Sequence, residues 1–183
     1  NLNESILDDF SNVLHRLPNL TWLELLADSN ITRNHFTEFS ETLGQLKSLK
    51  YLTLDFYLVI GISNKGIEHF FDQIRKITLL KLLNITFPKF VIFSNASCKT
   101  IRSCIKHFHD IETLRLDMNV EDVTMAGYDT LKDMIMSLDC LNNANLCCRE
   151  SKVSAEAVRD SWKDILKKYS YYVIKDRSIS IGK

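Results

Sequence analysis

Net charge is the first thing this chain lacks. Its 23 basic and 23 acidic side chains cancel, so there is no positive field to attract a phosphate backbone, and no nucleic acid is expected among its partners. Long apolar runs are missing too. The longest, Phe56 to Ile62, is far shorter than an α-helix needs to cross a bilayer, so no membrane insertion is expected. Glycine is scarce: Gly44, Gly61, Gly66, Gly127 and Gly182 are scattered, which excludes a phosphate-cradling loop and a dinucleotide fingerprint. The cysteines are five, an odd number in a chain large enough to fold without staples, and this points to a reducing, intracellular and cytoplasmic setting. The first residue is Asn1, and no basic flank followed by an apolar run opens the chain, so no signal peptide is expected. Sequons beginning at Asn3, Asn19, Asn30, Asn84 and Asn95 would matter only in a secreted protein. With 45% hydrophobic and 25% charged residues, the composition is that of an ordinary folded protein.

What the chain does have is internal repetition. LTWLEL (Leu20 to Leu25), LKYLTL (Leu49 to Leu54), LKLLNI (Leu80 to Ile85), IETLRL (Ile111 to Leu116) and LNNANL (Leu141 to Leu146) share one pattern, and their first residues lie 29, 31, 31 and 30 apart. Each segment is followed by an apolar residue and a hydroxyl: Ile31-Thr32, Ile62-Ser63, Phe93-Ser94, Val123-Thr124 and Val153-Ser154. Such a hydroxyl is expected to cap a helix by accepting a first-turn N–H.

Apolar residues then recur at helical spacing. The sets are Phe36, Phe39, Leu43, Leu46; Ile67, Phe70, Ile74, Ile77; Cys98, Ile101, Ile105, Phe108; and Tyr128, Leu131, Ile135, Leu138, each one face of an α-helix. Leu7, Phe10, Leu14 and Leu17 fit the same frame, so the chain is expected to open inside a repeat. The last unit keeps Val158 and Ile165 but has Ser161 at an apolar position, with Trp162 beside it. The strand-to-helix interval varies through 6, 8, 8, 7 and 7 residues, whereas the other 23 residues of a unit keep their length. One rim of loops is therefore free to vary. This organisation predicts a single domain over 1–183: a leading helix in 1–19, five repeats in 20–170, and a cap or strand in 171–183.

On these motifs the chain resembles the leucine-rich-repeat family over essentially its whole length, in particular the longer-repeat class typified by ribonuclease inhibitor. The resemblance implies an α/β solenoid, with a curved parallel sheet on the concave side and helices on the convex side. One feature departs from the family. Its usual Asn or Cys, three positions after the last strand leucine, appears only as Asn119; the corresponding positions hold Asp28, Tyr57, Pro88 and Arg149. Loop backbone groups must then find other partners, and irregular loops are expected.

In a strand, alternate side chains face opposite ways, so the leucines enter the core and the residues between them form a free face. Trp22, Tyr51 and Leu82 hold one strand position in consecutive units. This apolar column is expected either to bind a partner or to be covered by a neighbouring segment. Glu24, Asp55, Arg115 and Asp117 form a second, polar group, with Thr53 and Asn84 between the two, either orienting a partner by charge or simply solvated. Catalysis has little support, since Asp55 and Asp117 are two strands apart, too wide for a tight carboxylate pair. Zinc at Cys98, Cys104, His107 and His109 is disfavoured by spacing, and a Cys147–Cys148 redox couple by opposite facing. Lys47, Lys50, Lys81, Lys163, Lys167 and Lys168 are read as solvated faces. The expected function is a non-catalytic interaction module or scaffold without cofactor or metal, binding another protein or multiprotein complex. A fixed structural subunit and a substrate-recognition adaptor stay open as alternatives, with a metal-dependent enzyme using Asp55 and Asp117 as a remote one.

Overall fold

The computed structural model describes residues 5–27, 33–175 and 178–183. Helix α1 (Ser5–His15) leads. Strand and helix then alternate as β1 (Trp22–Leu26), α2 (Arg33–Leu43), β2 (Tyr51–Asp55), α3 (Asn64–Ile74), β3 (Leu82–Thr86), the short β4 (Ile92–Ser94), α4 (Asn95–Ile105), β5 (Thr113–Asp122), α5 (Met125–Met136), β6 (Asn143–Arg149) and α6 (Ala155–Ser161). A 3-10 helix (Lys163–Lys167) and the strands β7 (Tyr171–Lys175) and β8 (Ser178–Gly182) close the chain. The protein is α/β, with a mostly parallel sheet in the order β1-β2-β3-β5-β6-β8-β7, and β4 pairs with β5 off that path.

Every LxxLxL segment contributes a parallel strand in equivalent register: Leu23 lies beside Leu52, Leu52 beside Leu83, Leu83 beside Leu114, and Leu114 beside Ala144. Each helix packs on the next, from α1 through α6. All four helical sets from α2 to α5 are buried, and they form one core with the strand leucines. The leading set holds less well. Leu14 is buried, but Leu17 is exposed, because α1 has ended at His15.

Phenylalanine adds a feature that the leucine periodicity does not announce. Phe56 and Phe87 directly follow β2 and β3 and turn into the core. Ring contacts run from Phe39 to Phe56 (6.2 Å), Phe56 to Phe70 (6.5 Å), Phe70 to Phe71 (5.6 Å), Phe71 to Phe87 (5.7 Å) and Phe87 to Phe93 (5.0 Å). Most of these pairs meet edge to face, the arrangement aromatic quadrupoles prefer. The chain of rings crosses three units and locks strand ends to helices.

Three hydroxyl caps are made. Ser63 Oγ accepts from Gly66 N at 3.2 Å, Ser154 Oγ accepts from Ala157 N at 3.2 Å, and Ser94 and Ser97 form a reciprocal capping box. Thr124 is a correction: its side chain caps nothing in its own helix. Asn95 Nδ2 instead donates to Thr124 Oγ1 at 2.9 Å, and Thr124 N donates to Asn95 Oδ1 at 3.0 Å, tying α5 to the start of α4. The pair Ile31-Thr32 and Asp28 lie outside the described residues.

The strand-to-helix loops after β2 and β6 are irregular, as expected, whereas the loop after β5 is replaced by further pairing. β5 runs on for 10 residues and carries β4 as a second, shorter ladder. Asn119 Nδ2 donates to Lys89 O of the preceding loop at 3.2 Å, and its Oδ1 accepts from Glu121 N at 3.2 Å. At the position of the next unit that corresponds to Asn119, Arg149 reaches across the strands instead. It donates through an Nη to Phe87 O at 2.8 Å and lies over the Tyr57 ring at 5.0 Å.

The C-terminal unit solves its pattern break by changing helix type. At Ser161 the α-helix gives way to 3-10, so that Trp162 and Ile165 are both fully buried and Ser161 Oγ donates to Asp129 at 2.6 Å. β8 then pairs antiparallel with β6, with Ile179 beside Leu146 and Ile181 beside Ala144, and β7 folds back on β8.

Candidate functional site

The helices and the leucine side chains occupy one face of the sheet, so the intervening strand residues are left on the other. Register sorts them into three columns. The first runs Trp22, Tyr51, Leu82, Thr113, Asn143; the second Glu24, Thr53, Asn84, Arg115, Asn145; the third Leu26, Asp55, Thr86, Asp117, Cys147.

The first column brings its three apolar members together as side-by-side neighbours. Trp22 is 64% exposed and Tyr51 40%, with ring centroids 5.9 Å apart, and Leu82 is half-buried next to them. At the head of the column the Lys81 ammonium bonds Glu112 at 2.8 Å. That hydrogen bond and the charge of Glu112 hold the Lys81 pKa above its ordinary value.

The polar group does not assemble as one cluster. Glu24 and Arg115 share the second column but are separated by Thr53 and Asn84. Asp55 and Asp117 share the third, with Thr86 between them. Asp117 is committed, since its Oδ1 lies 2.7 Å from Arg149 Nε, an ion pair not aligned as a hydrogen bond. Asp55 Oδ1 accepts from Tyr57 N at 2.9 Å and so shapes the turn after β2. Both aspartates therefore act first on the fold, and Asp117 has a cationic partner before any visitor arrives.

Exposed apolar side chains absent from the candidate residues extend the surface. Leu26, at the free end of the third column, is 67% exposed. On the loop rim Tyr57, Leu58 and Ile60 are exposed together with Phe90, and Lys89 N donates to Tyr57 O at 3.3 Å, joining the two loops. Their signal in the sequence was the run Phe56 to Ile62, in which Phe56, Val59 and Ile62 are buried and the residues between them are not.

The other residue sets singled out by chemistry are placed as follows. Cys98, Cys104 and Cys148 are buried free thiols, Cys147 is half-buried and Cys140 is exposed. Burial pushes the Cys98 and Cys148 thiols up to about 12, and Cys104 in the same direction. His107 Nδ1 bonds Ser103 O at 2.8 Å. Among the described residues no three or more His, Cys, Asp or Glu gather as a metal-binding group, and no helix is long and apolar enough to cross a membrane. Lys47 donates to Gly44 O at 2.5 Å and Lys76 O at 3.1 Å, and Lys168 to Met136 O and Leu138 O at 2.8 Å each. These ammonium groups satisfy carbonyls left open at helix ends.

Neither protein-family models nor curated protein sequences match this chain.

Proposed function

We propose that the chain is a leucine-rich-repeat solenoid whose free sheet face binds another protein, a non-catalytic interaction module or scaffold. The observation that carries this reading is the contiguous apolar column Trp22–Tyr51–Leu82, whose two exposed aromatic rings are in contact beside the half-buried Leu82. Large rigid aromatic side chains at the centre of a patch supply most of the energy of many protein interfaces. Leu26 and the rim residues Leu58, Ile60 and Phe90 widen the apolar area around that column, and Glu24 and Arg115 supply charges that would fix a partner's orientation.

The test is cross-linking of the native protein followed by identification of the partner, in parallel for wild type and a Trp22→Ala/Tyr51→Ala double variant. Loss of the cross-linked partner with an unchanged thermal midpoint is the expected result. Full retention would defeat the reading. A fixed structural subunit differs in exchange: it is recovered only with its companions, whereas an adaptor is recovered alone and binds reversibly.

A further inference from the structure

One cation on the free face is left unspent in the interior of the sheet. Of the residues that β3, β5 and β6 give to the three columns, only Arg115 and Asp117 carry formal charge. Asp117 is paired with Arg149, and at the head of the first column Lys81 and Glu112 pair with each other. Arg115 is exposed, and its side chain has neither a hydrogen bond nor an ion pair among the described residues. Register sets it between Asn84 on β3 and Asn145 on β6, whose side-chain amides are equally without partners among the described residues. Parallel strands lie about 4.8 Å apart, so the three side chains form one row of unspent donors, a guanidinium fork flanked by two amide NH2 groups. The row lies well inside the sheet, with β2 beyond β3 on one side and β8 beyond β6 on the other.

We infer that Arg115, flanked by Asn84 and Asn145, takes an Asp or Glu carboxylate of the protein that binds this face. The reason lies in what such a partner covers. Leu82 lies beside Thr113, and Arg115 follows two residues along β5, which puts the Leu82 and Arg115 backbones about 8 Å apart by strand spacing and rise. A stable interface covers about 800 Å² on each partner, so a protein seated on Trp22, Tyr51 and Leu82 covers Arg115 as well. A guanidinium covered without an opposite charge loses its water and gains nothing in return. The partner must therefore bring an anion to this spot. A carboxylate fits in charge and in shape: its single negative charge matches the one unspent cation, its two oxygens accept side by side from the arginine fork, and its remaining lone pairs are left for the two amides. A phosphate monoester carries about 1.5–2 negative charges and would stay uncompensated, since Arg149 is already held by Asp117.

This inference rests on the reading of the sheet face as a protein-binding surface and names the charge that the partner presents there. The probe is a random dodecapeptide library displayed on phage and selected in parallel on the full wild-type chain, on Arg115→Glu and on the Trp22→Ala/Tyr51→Ala double variant. Wild type is expected to enrich peptides that join an acidic residue to apolar ones, and Arg115→Glu to enrich Lys or Arg in place of the acid. For a selected peptide, replacing its acid by the matching amide should weaken binding by about tenfold or more on wild type and by less than about twofold on Arg115→Gln. Arg115→Lys, which keeps the charge without the fork, should fall between the two. Arg115 makes no side-chain contact that folding depends on among the described residues, so the thermal midpoints of its variants should match wild type. Peptides that depend on Trp22 and Tyr51 but show no acidic preference, or one indifferent to Arg115→Gln, overturn the carboxylate site and leave the face standing. Tighter binding when phosphoserine replaces the acid overturns the choice of a singly charged anion. A library with no enrichment on wild type defeats the reading of the face, and the carboxylate site with it.

Discussion

Replacing Phe56 by alanine tests the packing described above at its centre. Phe56 is fully buried and meets three rings edge to face, those of Phe36 at 5.5 Å, Phe39 at 6.2 Å and Phe70 at 6.5 Å. Truncating a buried phenylalanine costs about 3–5 kcal/mol in lost transfer energy and residual cavity. Edge-to-face pairs contribute about 0.5–1.5 kcal/mol beyond area alone. With three such pairs lost and little room for neighbouring backbone to close the gap, the upper part of the range is expected. For a chain of this size each kcal/mol moves the thermal midpoint by roughly 2–4 °C, so a fall on the order of 8–20 °C should appear in a circular-dichroism melt. Trp22→Ala is the matched control, because an exposed aromatic contributes little to folding; its shift should stay within about 0.5 kcal/mol. A Phe56→Ala variant melting within 2 °C of wild type, roughly the shift of a neutral surface change, would refute the ring-chain account of how strands and helices are joined.

Two further outcomes follow from named contacts. Arg149→Ala removes at once the ion pair to Asp117, the hydrogen bond to Phe87 O and the contact with Tyr57; urea unfolding should show a loss of about 1–3 kcal/mol, and an unchanged midpoint would show that the loops do not depend on it. For thiols, a native group with a raised pKa keeps its proton while the unfolded chain releases its own near pH ~8.5. The contribution of Cys98 and Cys148 is therefore complete below that pH and is lost as pH rises towards about 12. Melts from pH 7 to pH 10 should fall in midpoint above about pH 8.5, and an aromatic disulfide reagent should titrate Cys140 rapidly in the native protein and the buried thiols only on unfolding.

The parallel strands and the helices between them were legible because burial imposes a period. Leucines three and two residues apart place a strand, hydrophobic residues stepping by three and four place a helix, and a constant spacing between units forces their strands into register. The same alternation identified the free face and its Trp22–Tyr51–Leu82 column, which the register assembles as neighbours. Thr124 shows the limit of a local rule, since its hydroxyl is taken by Asn95 of the preceding unit, 29 residues away.

Pairings between distant residues belong to the tertiary structure alone. No period in the chain marks Arg149 for Asp117 and Phe87, 62 residues apart in the latter case, or divides the charged residues of the free face between separate columns. The sequence determined the units and their spacing, because each unit must bury its own apolar side. The tertiary structure decided which charges are spent within the fold, because that depends on what lies beside a strand after the units have packed.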